Sequence, residues 1–190
     1  SAAFSATTTF AQDAVELDAI RVESEAAQEV LGNTEITSEE LADRNPQTMA
    51  DVFAGETEIT ASGGAAMAQK VFVHGIEESL LNVTIDGARQ NKAAFHHAGN
   101  VLIDPSLLKR VEVSSGLAPA DEGPGALAGS IAYETKDARD LLDPGASFGG
   151  QATLGFSGNG DTFRRGLTVY GMQGGFEYLL SGTKTTGDDY

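Results

Sequence analysis

The sequence has no cysteine and few basic residues, and both shortages limit what the protein can be. Without Cys it has no disulfide framework, thiolate zinc site or cysteine nucleophile. Its 12 Lys and Arg stand against 28 Asp and Glu, a formal net charge of −16, whereas a nucleic-acid-binding protein needs a basic surface. No apolar run approaches the roughly 18 residues that a spanning helix requires. If the protein enters a membrane, we therefore expect it to do so through β-strands.

The first part of the chain, residues 1–33, is predicted to precede the folded domain. Residues 1–12 are small and uncharged, and Thr9-Phe10-Ala11 offers small residues at the positions that a signal peptidase reads. We interpret residues 1–12 as a signal-peptide remnant, with a disordered N-terminus as the alternative. In the polar segment 13–33, Leu17–Val22 mixes apolar and charged residues and could add as a strand to the sheet edge of another protein.

Two short helices are predicted between residues 37 and 53. Thr37 is a good N-cap followed by an acidic first turn, and Pro46 suits the first position of a second helix. Their apolar side chains are expected to face a sheet: Leu41, Met49, Val52 and Phe53.

The middle of the chain has the pattern of short strands. β-branched residues are frequent there, and Asp86-Gly87 provides a turn. We expect a small sheet with a polar loop before its last strand, built from Val71–Val73, Leu80–Ile85 and Leu107–Val113. A further short strand is expected from Ile59.

From residue 147 onward, apolar residues alternate with Gly, Thr and other small or polar residues. Two-residue periodicity in runs of about ten residues predicts antiparallel strands long enough to cross a membrane at a tilt. Three such strands cannot close a barrel, so we expect the sequence to continue past Tyr190. The alternative is a secreted soluble domain, or an enzyme, with a β-meander tail. The alternating residues are Ala152, Leu154, Phe156, Leu167, Val169, Gly171, Phe176, Tyr178 and Leu180.

Five short motifs follow one another in a fixed order: Val73-His74-Gly75, Val83–Gly87, Ile103-Asp104-Pro105, Lys109–Val113 and Gly123–Ile131. Together, over roughly residues 37–136, they resemble the plug domain of TonB-dependent outer-membrane receptors. The sequence departs from the family pattern at His74 and Ser115, where Arg is usual. The order and spacing of the motifs are far more specific than any one of them.

The resemblance implies an α+β fold with three parts: a mixed-sheet plug domain with short helices over 34–136, a linker over 137–146, and the first antiparallel strands of an incomplete transmembrane β-barrel over 147–190. It implies a transporter, not an enzyme, in contact with lipid in the outer membrane of a Gram-negative bacterium. The plug would lie in the barrel lumen and the N-terminus in the periplasm. TonB and its inner-membrane energising complex would pull the TonB box, formed by Leu17, Asp18, Ala19, Ile20, Arg21 and Val22.

The polar loop of the sheet carries the cargo candidates: Arg89, Gln90, Phe95, His96 and His97. Imidazole is a common axial ligand of haem iron, and haem receptors of the family resemble this loop in placing a plug His before a Gly and an Asp-Pro pair. Spacing to Gly99 favours His96, and spacing to Asp104 favours His97. Three interpretations stay open: haem or haem-protein uptake with His96 as axial ligand, uptake of a ferric siderophore or other metal chelate, and a purely structural loop. Haem or a ferric chelate would be cargo, with no intrinsic cofactor.

Two further features have weaker chemical interpretations. Gly123–Gly129 superficially resembles a dinucleotide-binding loop, but its glycine spacing is one residue too long and no second βαβ unit appears. These glycines are expected to allow tight turns and close packing.

His74 is interpreted either as a structural histidine or as a partly buried, pH-dependent substitute for the family's Arg. No catalytic pattern rises above chance in so acidic a chain.

Overall fold

A computed structural model describes residues 33–63, 69–90, 101, 103–116, 129–158 and 161–187. The predicted TonB box and the cargo candidates Phe95, His96 and His97 lie outside these ranges. In chain order the elements are β1 Asn33–Ile36, α1 Ser38–Arg44, α2 Met49–Val52, β2 Ile59–Ser62, β3 Lys70–Val73, β4 Ile76–Glu77, β5 Asn82–Ile85, β6 Ala88–Arg89, β7 Leu108–Ser115, β8 Gly129–Thr135, α3 Ala138–Leu141, β9 Phe148–Ser157, β10 Thr162–Gln173 and β11 Phe176–Thr186. No helix of the described residues is long and apolar enough to cross a membrane.

The strands form three sheets. The central sheet has the order β1-β7-β8-β5-β6 and is mixed, because β5 pairs with β8 in parallel while its other pairings are antiparallel. A small antiparallel sheet has the order β2-β3-β4, and the meander sheet has the order β11-β10-β9. We call the elements from β1 to β8 the mixed-sheet domain. The predicted α+β fold with a following antiparallel meander is confirmed. The single small sheet expected in the middle of the chain is wrong, because Val71–Val73 belongs to the β2-β3-β4 sheet and the other two predicted strands belong to the central sheet.

The two predicted helices are present, with one correction to their boundaries. Thr37 caps α1 in a capping box with Glu40, as its sequence position predicted. The second helix begins after Thr48 and not at Pro46, because the Thr48 side chain accepts a hydrogen bond from the Asp51 backbone N–H and closes a second capping box. Side-chain capping therefore sets both starts.

Two hairpin turns show why particular residues stand where they do. His74-Gly75 joins β3 to β4 with φ of 48° and 79°, and Asp86-Gly87 joins β5 to β6 with φ of 48° and 76°. Two consecutive positive φ values are typical of the two-residue turns that suit the twist of paired strands. The Asp-Gly turn was predicted from its sequence, and His-Gly uses the same geometry. Gly129 is needed for close packing, since a Cβ there would collide with the Ser114 carbonyl oxygen.

One apolar core fills the space between the central sheet, the small sheet and the first two helices. Leu41, Met49, Val52 and Phe53 are buried in it, as predicted. The predicted strand start at Leu80 was wrong: Glu78–Leu80 form a 3-10 turn, β5 begins at Asn82, and the Leu80 side chain is 63% exposed. The strand residues of the core include Ile36, Val71, Val73, Leu81, Val83, Leu108, Val111, Val113, Ile131 and Tyr133.

The contrast between two leucines gives a test of this core. Leu108→Ala is expected to lower the free energy of unfolding by about 3 kcal/mol, because its side chain is fully buried and truncation leaves a cavity. Leu80→Ala removes the same atoms from the surface and is expected to cost less than about 0.5 kcal/mol. Urea denaturation of the purified chain, followed by circular dichroism, measures both. Equal losses would contradict the described core.

The meander sheet has one polar and one apolar face. Register places Leu154 opposite Arg165, Ala152 opposite Leu167, and Val169 opposite Leu180, so these residues share a face with Phe156 and Phe176. This face is exposed, with Leu154 at 76%, Phe156 at 71% and Leu180 at 66%. The alternation predicted from the sequence is confirmed. The opposite face, with Arg164, Thr183 and Tyr170, lies toward the mixed-sheet domain.

Candidate functional site

Only Arg89 and Gln90 of the predicted cargo residues lie within the described part of the chain. Arg89 is the last residue of β6, an edge strand of the central sheet, and Gln90 follows it. The Gln90 backbone N–H donates to the Val83 carbonyl at 2.8 Å, and its side-chain amide donates to the Ala88 carbonyl at 2.9 Å. Arg89 is exposed and pairs with Thr84 across the hairpin. The roles of these residues in cargo binding therefore stay predictions.

His74 lies on the surface, which contradicts its interpretation as a partly buried substitute for the family's Arg. Its side chain is 44% exposed, with Nε2 3.2 Å from Glu58 Oε2, and its backbone N–H donates to the Glu58 carbonyl at 2.8 Å. Protonation of the imidazole would turn the first contact into an ion pair. No group of three or more His, Asp or Glu side chains in the described ranges could hold a metal ion.

The best-defined polar site joins the mixed-sheet domain to the meander sheet. Asp104 stands before the Pro105–Leu107 3-10 turn and accepts hydrogen bonds from the Ser106 backbone N–H at 3.0 Å and the Ser106 hydroxyl at 2.7 Å. Its second oxygen accepts from the Thr183 hydroxyl at 2.7 Å. The Arg164 guanidinium pairs with the Asp104 carboxylate and donates to the Gln47 carbonyl at 3.1 Å. We call Asp104, Ser106, Arg164 and Thr183 the Asp104 cluster.

The Asp104 cluster is shielded from water and keeps its carboxylate charged. The side chains of Asp104 and Arg164 are only 18% and 14% exposed. Burial by itself would raise the pKa of Asp104, but hydrogen bonds from Thr183 and Ser106, together with the Arg164 charge, lower this pKa below its usual range. A lowered pKa in the folded state means that the stabilisation is complete above the unfolded-state pKa. It is lost as the pH falls through the lower, folded-state pKa.

A second polar contact joins α3 to β11. The Arg139 backbone N–H donates to Glu177 Oε1 at 3.0 Å, and its guanidinium Nε lies 3.2 Å from Glu177 Oε2. Nearby, the Met172 backbone N–H donates to the Ser147 carbonyl at 2.9 Å. The Arg139 side chain is 63% exposed, so solvent screens this ion pair much more than the Asp104 pair.

The Asp104 cluster was not predicted from the sequence. Asp104 belongs to the Ile-Asp-Pro motif, and Arg164 belongs to none of the five motifs. The available signal was the alternation in β10, which places Arg164 on the face opposite Leu167 and Val169. A cation on a shielded face needs an anionic partner. Sequence alone could not say that the partner is 60 residues away.

These features define a class of protein. A mixed-sheet domain is held by polar groups against one face of antiparallel strands, and the other face of those strands is apolar and exposed. Polar inside and apolar outside is the arrangement of a barrel wall, and the largest barrels of outer-membrane transporters enclose a folded plug.

The chain belongs to the family of the TonB-dependent receptor plug domain, whose family model matches residues 26–130, more than half of the 190 residues. It is 40% identical over 162 residues to the heme transporter BhuA of Brucella ovis, a match that covers 85% of this chain and 24% of the relative. It is 33% identical over 143 residues to a hemin receptor of Yersinia pestis, which covers 74% of this chain and 21% of that protein.

A solved structure has a fold similar to that of this chain. The FrpB iron transporter of Neisseria meningitidis superposes with a TM-score of 0.69 at 28% sequence identity, covering 82% of this chain and 24% of that one. The chain thus spans about a quarter of the length of the relatives it matches. These relatives are named as transporters and a receptor.

Proposed function

We propose that this chain is part of an energy-coupled outer-membrane receptor in which the mixed-sheet domain gates the uptake of an iron-containing cargo, with haem or a haem protein favoured. The observation that carries this proposal is the 40% identity to a protein named as a heme transporter, over 85% of the chain. The adjacent histidines of the sequence add a chemical reason, because neutral imidazole ligates haem iron.

The proposed mechanism is gating. Cargo binds against the loop that carries His96 and His97, and the segment Leu17–Val22 pairs with TonB, which is driven by its inner-membrane energising complex. Force on that segment moves or remodels the mixed-sheet domain against the meander sheet. The contact supports such movement because its best-defined links are polar: water can replace the partners of Asp104 and Arg164 when the two parts separate. An apolar contact would instead expose surface to water.

The proposed organisation keeps the plug over 34–136, the linker over 137–146 and the barrel strands over 147–190. Three observations support these limits. β1 begins at Asn33, β8 ends at Thr135, and β9 begins at Phe148. The linker includes α3, whose Ala138 is fully buried, so this segment is packed and not a free connection.

A second candidate cargo is a ferric siderophore or another metal chelate. The similarity to a protein named as an iron transporter favours it. Such a cargo arrives with its iron already coordinated, so Phe95, Gln90 and His96 would contribute aromatic and polar contacts and no histidine would need to ligate iron. The two cargoes therefore differ in whether a histidine is an iron ligand.

A haem titration of the full-length receptor, followed by Soret absorption, distinguishes the two cargoes. We expect saturable haem binding. The Kd is expected to rise at least about tenfold in one of the two variants, His96→Ala or His97→Ala, because that variant loses an axial ligand. His74→Ala is the matched control, since the sequence has three histidines and this one lies in a surface turn. Absence of haem binding by the unmodified receptor would refute the haem proposal. Ferric siderophores would then be titrated in the same way.

A further inference from the structure

Two cations stand side by side on the apolar face of the meander sheet. Arg165 and Lys184 are direct cross-strand partners, and Leu154 is the partner of Arg165 on its other side. Both cations are exposed. Among the described residues, no hydrogen bond or ion pair joins either cation to a carboxylate. By contrast, six other cations in the described ranges form ion pairs with carboxylates: Arg44, Lys70, Lys109, Arg110, Arg139 and Arg164.

Like charges in directly facing positions of an antiparallel pair repel each other. In a chain with 28 acidic residues, the absence of a carboxylate beside this pair leaves its charge uncompensated from within the described structure. An anion bound between the two side chains would turn the repulsion into two attractive contacts. A guanidinium fork and an ammonium group together suit a phosphate, which offers several acceptor oxygens.

The position of this pair along the strands indicates that the phosphate belongs to a lipid headgroup. Gln173 pairs with Phe176 at one end of the face, and Arg165 lies eight residues along β10 from Gln173. Eight residues extend about 26 Å, or about 20 Å across a bilayer at a tilt of about 40°. The apolar band of a membrane barrel is about 25 Å tall, so the pair lies near its far boundary. Long cationic side chains at this depth extend toward lipid headgroups.

The aromatic residues of the next row agree with this position. Phe163 and Phe156 are cross-strand partners, two residues beyond Arg165 and Leu154 on the same face. Phe156 is 71% exposed and Phe163 is 39% exposed. Aromatic girdles mark the boundary between lipid and water on membrane barrels. The cations and the aromatic row therefore lie where apolar chains give way to headgroups.

We propose that Arg165 and Lys184 form a binding site for the phosphate of an anionic lipid headgroup at this boundary of the membrane. The guanidinium of Arg165 holds two phosphate oxygens, the Lys184 ammonium holds a third, and the acyl chains lie along Leu154, Leu167 and Leu180. The site is separate from cargo binding, so a failure of the haem proposal leaves it unaffected.

The test uses the full-length receptor, delipidated in a non-ionic detergent and titrated with phosphatidylglycerol, with bound lipid counted by native mass spectrometry. We expect R165Q/K184Q to weaken binding of the first lipid at least about tenfold. The charge-preserving exchange R165K/K184R is expected to stay within about threefold of the unmodified receptor. Removing the like-charge repulsion is not expected to unfold the sheet, and circular dichroism of each variant checks this.

The matched control is K109Q/R110Q, which removes two cations from the central sheet and is expected to leave lipid binding unchanged. Phosphatidylcholine, which has no net charge, is expected to bind more weakly, and millimolar inorganic phosphate is expected to displace little lipid because it lacks the acyl chains. Equal binding by R165Q/K184Q and the unmodified receptor would overturn the proposal. Full displacement by inorganic phosphate would also overturn it, in favour of a general anion site.

Discussion

Ile20→Pro is expected to abolish energy-dependent uptake by the full-length receptor while leaving its affinity for cargo unchanged. We propose that Leu17–Val22 is recognised as a strand added to a sheet edge of TonB, so its affinity depends on backbone hydrogen bonds. Proline removes a backbone N–H and fixes φ, which breaks such a ladder in its middle. Uptake of labelled cargo by cells, measured beside binding of cargo to the same cells, separates coupling from recognition.

Two control variants sharpen this test. Ala27→Pro places the same residue in the polar connector outside the proposed box and is expected to leave uptake nearly intact. Ile20→Ala keeps the backbone N–H and is expected to reduce uptake less than Ile20→Pro does. Normal uptake by Ile20→Pro would contradict the assignment of the box. Loss of both binding and uptake would instead indicate a folding defect.

The parts of the fold that were predictable from the sequence depend on local signals. Thr37 and Glu40 form the capping box of α1 within four residues. Asp86 and Gly87 both adopt the positive φ values that their hairpin turn requires. The alternation of the meander sheet is equally local, because side chains of a strand change face at each residue. In these cases a short stretch of chain contains all of the interacting groups.

The errors arise where two local signals compete. Pro46 suits a helix start, yet the Thr48 hydroxyl and the Asp51 carboxylate satisfy more backbone donors and move the start to Met49. Leu80 continues an apolar run, yet it belongs to a 3-10 turn and the strand starts two residues later. Composition favoured the longer elements, whereas hydrogen bonding set their ends.

The candidate site was less predictable than the fold. The Asp104 cluster combines residues from the 3-10 turn, β10 and β11, which are distant in sequence, and no local pattern reveals their pairing. For Arg89, Gln90 and the loop histidines, sequence chemistry and the family relationship support a role in binding cargo. Their function therefore has to be established by experiment.

The polar character of this cluster supports the gating that we propose, in which the mixed-sheet domain is held in place and is then moved. The apolar core holds the mixed-sheet domain together internally, whereas Asp104, Arg164 and Thr183 link it to the meander sheet. Hydrogen bonds and ion pairs are sensitive to geometry, so a small displacement breaks them and water can then solvate both sides. The core resists the same displacement because it would have to expose apolar surface.

Asp104→Ala is expected to weaken the attachment of the mixed-sheet domain more than any other single change in this contact. It leaves the shielded Arg164 guanidinium without its carboxylate and Thr183 without its acceptor. Breaking a largely buried pair from one side costs about 2 to 3 kcal/mol here, after allowance for partial exposure. The backbone amides of Leu107 and Lys136 donate to backbone carbonyls that the substitution leaves in place. They are therefore expected to exchange hydrogen roughly 30- to 150-fold faster.

Three comparisons test the physical reason for this effect. Asp104→Ala/Arg164→Met is expected to exchange more slowly than Asp104→Ala alone, because the unpaired cation is also removed. Arg139→Ala, in the exposed contact, is expected to leave these amides nearly unchanged. Hydrogen bonds and Arg164 lower the pKa of Asp104, so the intact receptor should keep slow exchange, corrected for intrinsic rates, at pH 5. It should lose slow exchange progressively as the pH falls from about 4, the usual Asp pKa, through the lower folded-state pKa. Equal exchange in Asp104→Ala and the intact receptor would show that the attachment depends on other contacts.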